Sequence, residues 1–482
     1  MAKASVRRIV APSVIGLLFV FLAGRIAFTR TYPLPYDESY HLGLIDYYTQ
    51  YPNPFATTQP AGFDQLGSIV GDASHLYHYL LSFPLEFIRL FTGDQLQQLW
   101  VLRSLNIGLG LLTLYLVYRF SRRFGLSNMV SAAVTVGLAV TPVFYSVFAQ
   151  LNYDNLLIPL TLIILLQTWT VSEKLKQGVL PTARLLGVSG LLLAASLVKY
   201  SFLPIFAAVA LYLAVLLVRY AGIRTLPKKL WDGFAQSKAY VRVAVVALFF
   251  VASGVWLQQY GTNVVKYGTP HPQCHVVLSV ERCQGYTPWA RNYELHNTRD
   301  QRPVEGLQLA SFTGNWLREM YFQTFSLVRV EPGVPLFSLQ KIAWPSMVVL
   351  AAGMVCMVLL AKAVFRYKLP WVLFGTVGLL YVGSLWGQNF SDYQNLHQAV
   401  AVQGRYLLPL LPLFYVVVAF SYVVALVHIR AFMAQATASG AQTFTAIARF
   451  VLRKAYAAWL MVAVKASGAA HPSRDMRFLT GA

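Results

Sequence analysis

The sequence predicts an all-α, polytopic integral membrane protein with about ten transmembrane helices and two long extracytoplasmic segments. Three observations carry that expectation. Of the 482 residues 57% are hydrophobic and only 12% charged, at a mean hydropathy of +0.53. Apolar stretches near the ~20 residues needed to cross a hydrocarbon core recur along the chain. Lys and Arg gather in alternate connections, as they do on the cytoplasmic side of membrane proteins.

Spans read near residues 9–29, 99–118, 129–149, 155–171, 185–199, 200–218, 243–260, 343–361, 370–386 and 406–427. The first is too long for a signal peptide, and no small-residue cleavage site follows it, so it reads as retained. The fifth and sixth are parted only by the polar break Lys199-Tyr200-Ser201.

Basic residues of the N-terminus (Lys3, Arg7, Arg8), of the 119–123, 172–184, 219–242 and 362–368 connections and of the tail all fall on one side of this arrangement. Among the acids only Glu173, Asp232 and Asp475 share that side. Both termini are therefore expected in the cytoplasm. The net charge of +21 then forms a collar against anionic lipid, and nucleic acid is not an expected partner.

Four regions follow: an N-terminal transmembrane module 1–260 that includes the extracytoplasmic loop 30–98, an extracytoplasmic loop 261–342, C-terminal transmembrane helices 343–428, and a basic amphipathic cytoplasmic tail 429–482. Three cations (Arg449, Arg453, Lys454) inside the apolar stretch 444–466 argue for a surface-lying helix there rather than an eleventh span. In the first loop, 37–48 reads as a short helix and 72–90 as an interfacial amphipathic helix broken near Pro84. The second loop has a helix near 305–327 and a turn at 331–335. Cys274 and Cys283 lie together in that loop, on the oxidising side, and are expected to form a disulfide. Their spacing, without paired His nearby, is a poor zinc pattern.

The sharpest chemical signal is Tyr36-Asp37-Glu38-Ser39-Tyr40-His41, just beyond the first span. Two adjacent carboxylates with a His one helical turn on suit a general base or a metal ligand. Helix capping, with Asp37 at the N-cap and Glu38 in the first turn, accounts for them equally well. Asp72, His75 and His78 recur at intervals of three, which on one helix gives neighbouring faces able to meet a metal or phosphate, although an interfacial helix explains them without a ligand. Asp154, Lys199 and Arg405 lie at span ends on the same side. Charges at such depth need partners, and a lipid-linked phosphate or a structural ion pair would each serve.

In the order Asp37-Glu38, Leu76-Tyr77-His78-Tyr79-Leu80-Leu81, Asn152-Tyr153-Asp154, Lys199-Tyr200 and Gly404-Arg405-Tyr406-Leu407-Leu408-Pro409, the chain resembles the GT-C superfamily of polytopic glycosyltransferases. The likeness is to the protein mannosyltransferase and aminoarabinose transferase branch and its bacterial relatives. It covers the first two hundred residues and the last span.

The resemblance implies transfer of a sugar from a polyprenyl-phosphate donor to an extracytoplasmic glycan, lipid or protein acceptor, with inversion, in a bacterial plasma (inner) membrane. It implies Asp37 as the base or acceptor-orienting carboxylate, with Glu38 supporting it or sharing a metal. Lys199, Arg405 and Tyr406 would hold the donor phosphate, and Asp154 would contact a substrate. His41, His75 and His78 would line the substrate site and leave room for a divalent metal on Asp37, Glu38 and His41. The alternative is a lipid-linked glycan transporter, flippase or assembly partner, which keeps the cationic groove but has no need of Asp37.

Overall fold

The computed structural model describes residues 2–222, 226–302, 309–325 and 336–438, and among them every regular element is helical. The expected turn at 331–335 and the expected surface helix at 444–466 lie outside the described residues.

The chain runs through α1 (Ala2–Ala27), α2 (Glu38–Gln50), α3 (Leu76–Arg89), α4 (Gln95–Arg123), α5 (Asn128–Ala139), α6 (Pro142–Phe148), α7 (Asp154–Lys176), α8 (Thr182–Val198) and α9 (Leu203–Ala221). It continues with α10 (Leu226–Ala235), α11 (Ala239–Trp256), α12 (Thr262–Tyr267), the one-turn α13 (Cys274–Val277) and α14 (Val280–Cys283), α15 (Thr287–Asn297) and α16 (Leu309–Phe325). Last come α17 (Leu336–Leu359), α18 (Ala361–Val364), α19 (Trp371–Leu396) and α20 (Leu411–Ala438).

Among the described residues five helical stretches are long and apolar enough to cross a membrane: 95–123, 154–176, 200–221, 239–267 and 411–435. The pair α5 and α6 makes a sixth if its 68° bend is one broken span. Shorter apolar helices at Pro12–Ala27, Thr182–Val198 and Val348–Leu359 coincide with three more of the expected spans. The bend has a local cause. Thr141 is held extended ahead of Pro142, which disfavours helix in the residue before it and starts a new helix at its own position. Large apolar side chains stand exposed on α4, α9 and α11, among them Leu105, Leu211, Val243 and Phe250, a surface that lipid rather than water suits.

By contacts the chain divides into two units, Met1–Ala343 with Pro370–Val416, and Trp344–Leu369 with Val417–Ala482. In the second, Gly353 lets the Val418 and Tyr422 side chains close onto its backbone, and the Tyr367 ring packs on Phe420. In the first, α4 is the central post, packed on α1, α5 and α7, while α8 lies against α7 and α11. A Cβ at Gly110 of α4 would fall 2.4 Å from the Phe19 ring, so glycine sets how closely α1 approaches.

The two long connections of this unit pack on one another. Arg282 of α14 donates to both Asp64 carboxylate oxygens (2.6 and 2.9 Å) and to the Gln59 carbonyl, and Asn263 donates to the Gly71 carbonyl. The expected disulfide is present, joining Cys274 to Cys283. Two local expectations change. Pro84 lies inside an unbroken α3, and that helix begins at Leu76, because the Asp72 side chain accepts from the Ser74 N–H and closes a turn first. Asp72, His75 and His78 therefore do not share one helix. Asn389, in the glycosylation-like pattern Asn389-Phe390-Ser391, is buried and accepts from the Trp316 indole N–H.

Candidate functional site

Four chain segments of the first unit bring the site together: the approach to α2, the start of α7, the break between α8 and α9, and the 3₁₀ turn Gly404–Leu407. Two ion pairs form its centre. The Arg405 guanidinium meets the Asp37 carboxylate at 2.5 Å, and the Lys199 ammonium meets Asp154 at 2.8 Å. The Tyr406 ring joins them, its centroid 4.9 Å from Lys199 Nζ and 5.3 Å from the Arg405 guanidinium carbon. Tyr153 supplies a second ring 4.5 Å from the same ammonium. Cations against aromatic faces, away from water, gain more than at exposed positions.

The Asp37 side chain is 57% exposed, whereas Arg405 and Asp154 are buried at 3% and 0%. Asp37 is thus the outward group of the cluster. Its backbone is left-handed (φ 67°), as is that of Tyr36 (φ 68°), and its side chain makes no capping bond to α2. Capping therefore does not explain this carboxylate. Residues with a Cβ disfavour that conformation, and such strain collects at functional sites when surroundings enforce it. Here Arg405 donates to the Tyr36 carbonyl at 2.8 Å and Asn152 donates to the same oxygen at 3.3 Å.

Glu38 plays a different part from its neighbour. It is fully buried and accepts two bonds from Arg103 of α4 (2.8 and 2.6 Å), one from the Leu34 N–H (2.8 Å) and one from the Leu151 N–H (3.3 Å). Arg103 also donates to the carbonyls of Ala27 and Thr31. This knot ties the end of α1, the start of α2 and the approach to α7 into one piece, so Glu38 holds Asp37 in place from behind. Sequence reasoning missed Arg103. The available signal was a cation inside a predicted span, which requires a partner.

His41 Nδ1 lies 2.8 Å from His78 Nε2, and the two rings stack. The edge of the pair abuts Tyr153, with centroids 4.8 Å apart for His41. Burial drives both imidazoles towards the neutral form, His78 down to about 3 and His41 well below its usual value, the latter helped by its histidine neighbour and by Arg405 and Lys199. His75 is buried too, which lowers it to about 4. Among the described residues no hydrogen bond joins it to the pair.

No known protein family, curated protein or solved structure matches the chain. The site is accordingly read from its own geometry.

As arranged, the residues do not fit a divalent metal. Among the described residues no group of three or more His, Cys, Asp or Glu could hold one. Both Glu38 oxygens serve Arg103, Asp37 serves Arg405, and one His41 nitrogen serves His78. What the cluster offers is two cations, each paired with a carboxylate, one of which, Asp37, is exposed. Asp154 Oδ2 and Arg405 Nε are buried without a hydrogen-bond partner among the described residues, so the cluster retains polar capacity for a ligand.

Proposed function

We propose that the chain is a membrane glycosyltransferase of the GT-C type, which transfers a sugar from a polyprenyl phosphate to an acceptor hydroxyl on the extracytoplasmic side. With this reading go ten spans, cytoplasmic termini and a bacterial plasma membrane. The observation that carries it is the junction of Asp37 with Arg405 and, through the Tyr406 ring, with Lys199 and Asp154.

Two cations and one exposed carboxylate are the minimum such a reaction needs. The acceptor oxygen bonds to the anomeric carbon, its proton passes to Asp37, and the anomeric C–O bond breaks with its electron pair leaving on the lipid phosphate. That phosphate is a good leaving group once its charge is met, so no general acid is required. When Asp37 swings outward, the donor phosphate takes its place on Arg405 in a charge-assisted pair. The released carboxylate then faces the acceptor hydroxyl and accepts its proton.

The test is transfer of labelled sugar from polyprenyl-phosphate sugar by the chain in lipid nanodiscs, wild type against Asp37→Asn. Loss of a positioned base is expected to lower turnover by about 10²–10⁴-fold. Undiminished transfer by a stably folded Asp37→Asn protein would falsify Asp37 as the base, and no transfer by the wild type would overturn the transferase reading. Substrate movement across the bilayer without any transfer would favour the transporter alternative.

A further inference from the structure

Beside Asp37 opens a cavity of about 960 Å³, at the upper end of the size range typical of ligand pockets. Its walls are the 33–37 segment, one face of α16 and the strap 398–403. Lys199 and Asp154 do not line it, so Asp37 is the group common to this space and to the cationic cluster.

The lining has a consistent chemistry. Asn315, Gln323, Gln398 and Gln403 present amides, each offering a carbonyl acceptor and two N–H donors, the complement of a hydroxyl that both donates and accepts. Gln403 Oε1 is buried with no hydrogen-bond partner among the described residues. Leaving such an atom unpaired costs stability. Phe312 and Trp316 give an apolar floor. The lining acids Asp37, Glu38 and Glu319 are each paired with an arginine, and no lysine stands among the lining residues, so the cavity has no strong charge preference that would select an anion. Arg291 is the cation among these lining residues, and its bonds to the neutral Asn292 amide leave its charge in place. An acyl chain or other apolar group would leave the amides without partners.

The strap is held in a costly shape. His397 (φ 50°) and Ala401 (φ 54°) are left-handed. Asn389 donates to the Val400 carbonyl at 3.4 Å. Gly404, which follows directly, sits so close to α16 that a Cβ would lie 2.5 Å from the Thr324 nitrogen. Cavity wall and Arg405 are thus consecutive parts of one fixed strap.

We infer that this cavity is the acceptor subsite and that the acceptor is a neutral saccharide, whose reacting hydroxyl is presented to Asp37; this rests on the transferase reading above. The saccharide is either free or carried on a lipid.

The full chain in nanodiscs, with no donor present, is tested by saturation-transfer NMR against methyl glycosides of glucose, mannose, galactose and N-acetylglucosamine. Glucose 6-phosphate is the anionic control, and a monoglucosyl diacylglycerol placed in the nanodisc is the lipid-borne arm. Saturation of at least one methyl glycoside is expected, weakened about 10-fold or more in Gln323→Leu/Gln403→Leu as two amide contacts are lost. Binding seen only in the glycolipid arm and lost in that variant supports the saccharide and assigns it to the membrane. Absence of binding in both arms, equal binding by the variant, or tighter binding of the phosphorylated sugar overturns the inference. If the double variant does not fold, Asn315→Leu on the exposed side of α16 gives the same comparison. The two proposals fail separately. Transfer to a peptide or a sugar-free lipid removes this one alone, while glycoside binding without any sugar transfer by the wild type removes the transferase assignment.

Discussion

Arg405 reaches Asp37 across 368 positions of sequence and, with its other terminal nitrogen, grips the carbonyl of the residue before it. One guanidinium thus holds two consecutive left-handed residues whose conformation, at about 1–2 kcal/mol each, would relax without it. The same group is placed to receive a phosphate, so the backbone strain at Tyr36 and Asp37 and the charge of the site have one owner.

Replacing Arg405 therefore separates charge from shape. Arg405→Lys keeps a cation but cannot bond a carboxylate and a carbonyl together through a planar fork. Transfer is expected to fall by about 10²-fold or more in Arg405→Lys and further in Arg405→Gln, as for loss of one preorganised electrostatic donor. Single-turnover measurement with polyprenyl-phosphate sugar reads this, and equal rates for Lys and Arg would show that the fork does not matter.

Glu38 and Arg103 are each fully buried and satisfied by one another, so removing either alone strands a charge. Glu38→Gln or Arg103→Met is expected to cost about 3–5 kcal/mol of stability, and the double change Glu38→Met/Arg103→Met less than the sum. Thermal unfolding in detergent checks it; additive losses would mean the two side chains are not coupled.

Charges at membrane depth are readable because each demands a partner, which singles out Asp154, Lys199 and Arg405, whereas Asp37 stands out as one of two adjacent carboxylates. Arg103 obeys the same rule but is hidden in the long apolar run of α4. The conformation of Asp37 was not readable. Tyr-Asp-Glu before an apolar helix has the look of a cap, and the contacts that hold its positive φ come from residues distant in sequence, Arg405 and Asn152 among them. Nor was the place of His75, since the Asp72–Ser74 turn delays the start of α3 by a few residues. The bend between α5 and α6 did leave a sign in Thr141-Pro142, which a hydropathy window averages away.

The Cys274–Cys283 bridge closes a short loop beside Arg282, whose bonds to Asp64 join the two long connections. Chain-entropy arguments give about 2–3 kcal/mol for a loop of this size. Cys274→Ala/Cys283→Ala is expected to lose that much against unfolding, and in the wild type both thiols should resist alkylation until a reductant is added. Alkylation of both before reduction would show that the bridge does not form in the membrane-embedded protein.

His41, His75 and His78 all have their proton affinities lowered, with burial the largest cause in each. A group whose folded value lies below its unfolded one contributes stability that is complete above the unfolded value of about 6.5 and fades as pH falls toward the folded value. For His75 and His78 that window runs from about 6.5 down to about 4 and about 3. The unfolded chain takes up protons there that the folded one refuses, so unfolding midpoints should drop steadily between pH 6.5 and 4. Because carboxylates also titrate at the lower end, the decisive comparison is with His78→Gln, which keeps a polar partner for His41 and removes one titrating imidazole. Its midpoint should fall less steeply than that of the wild type between pH 6.5 and 5, where the carboxylates contribute least; parallel curves over that interval would mean that His78 is protonated in the folded protein and that the stacked pair is held by something other than neutral imidazoles.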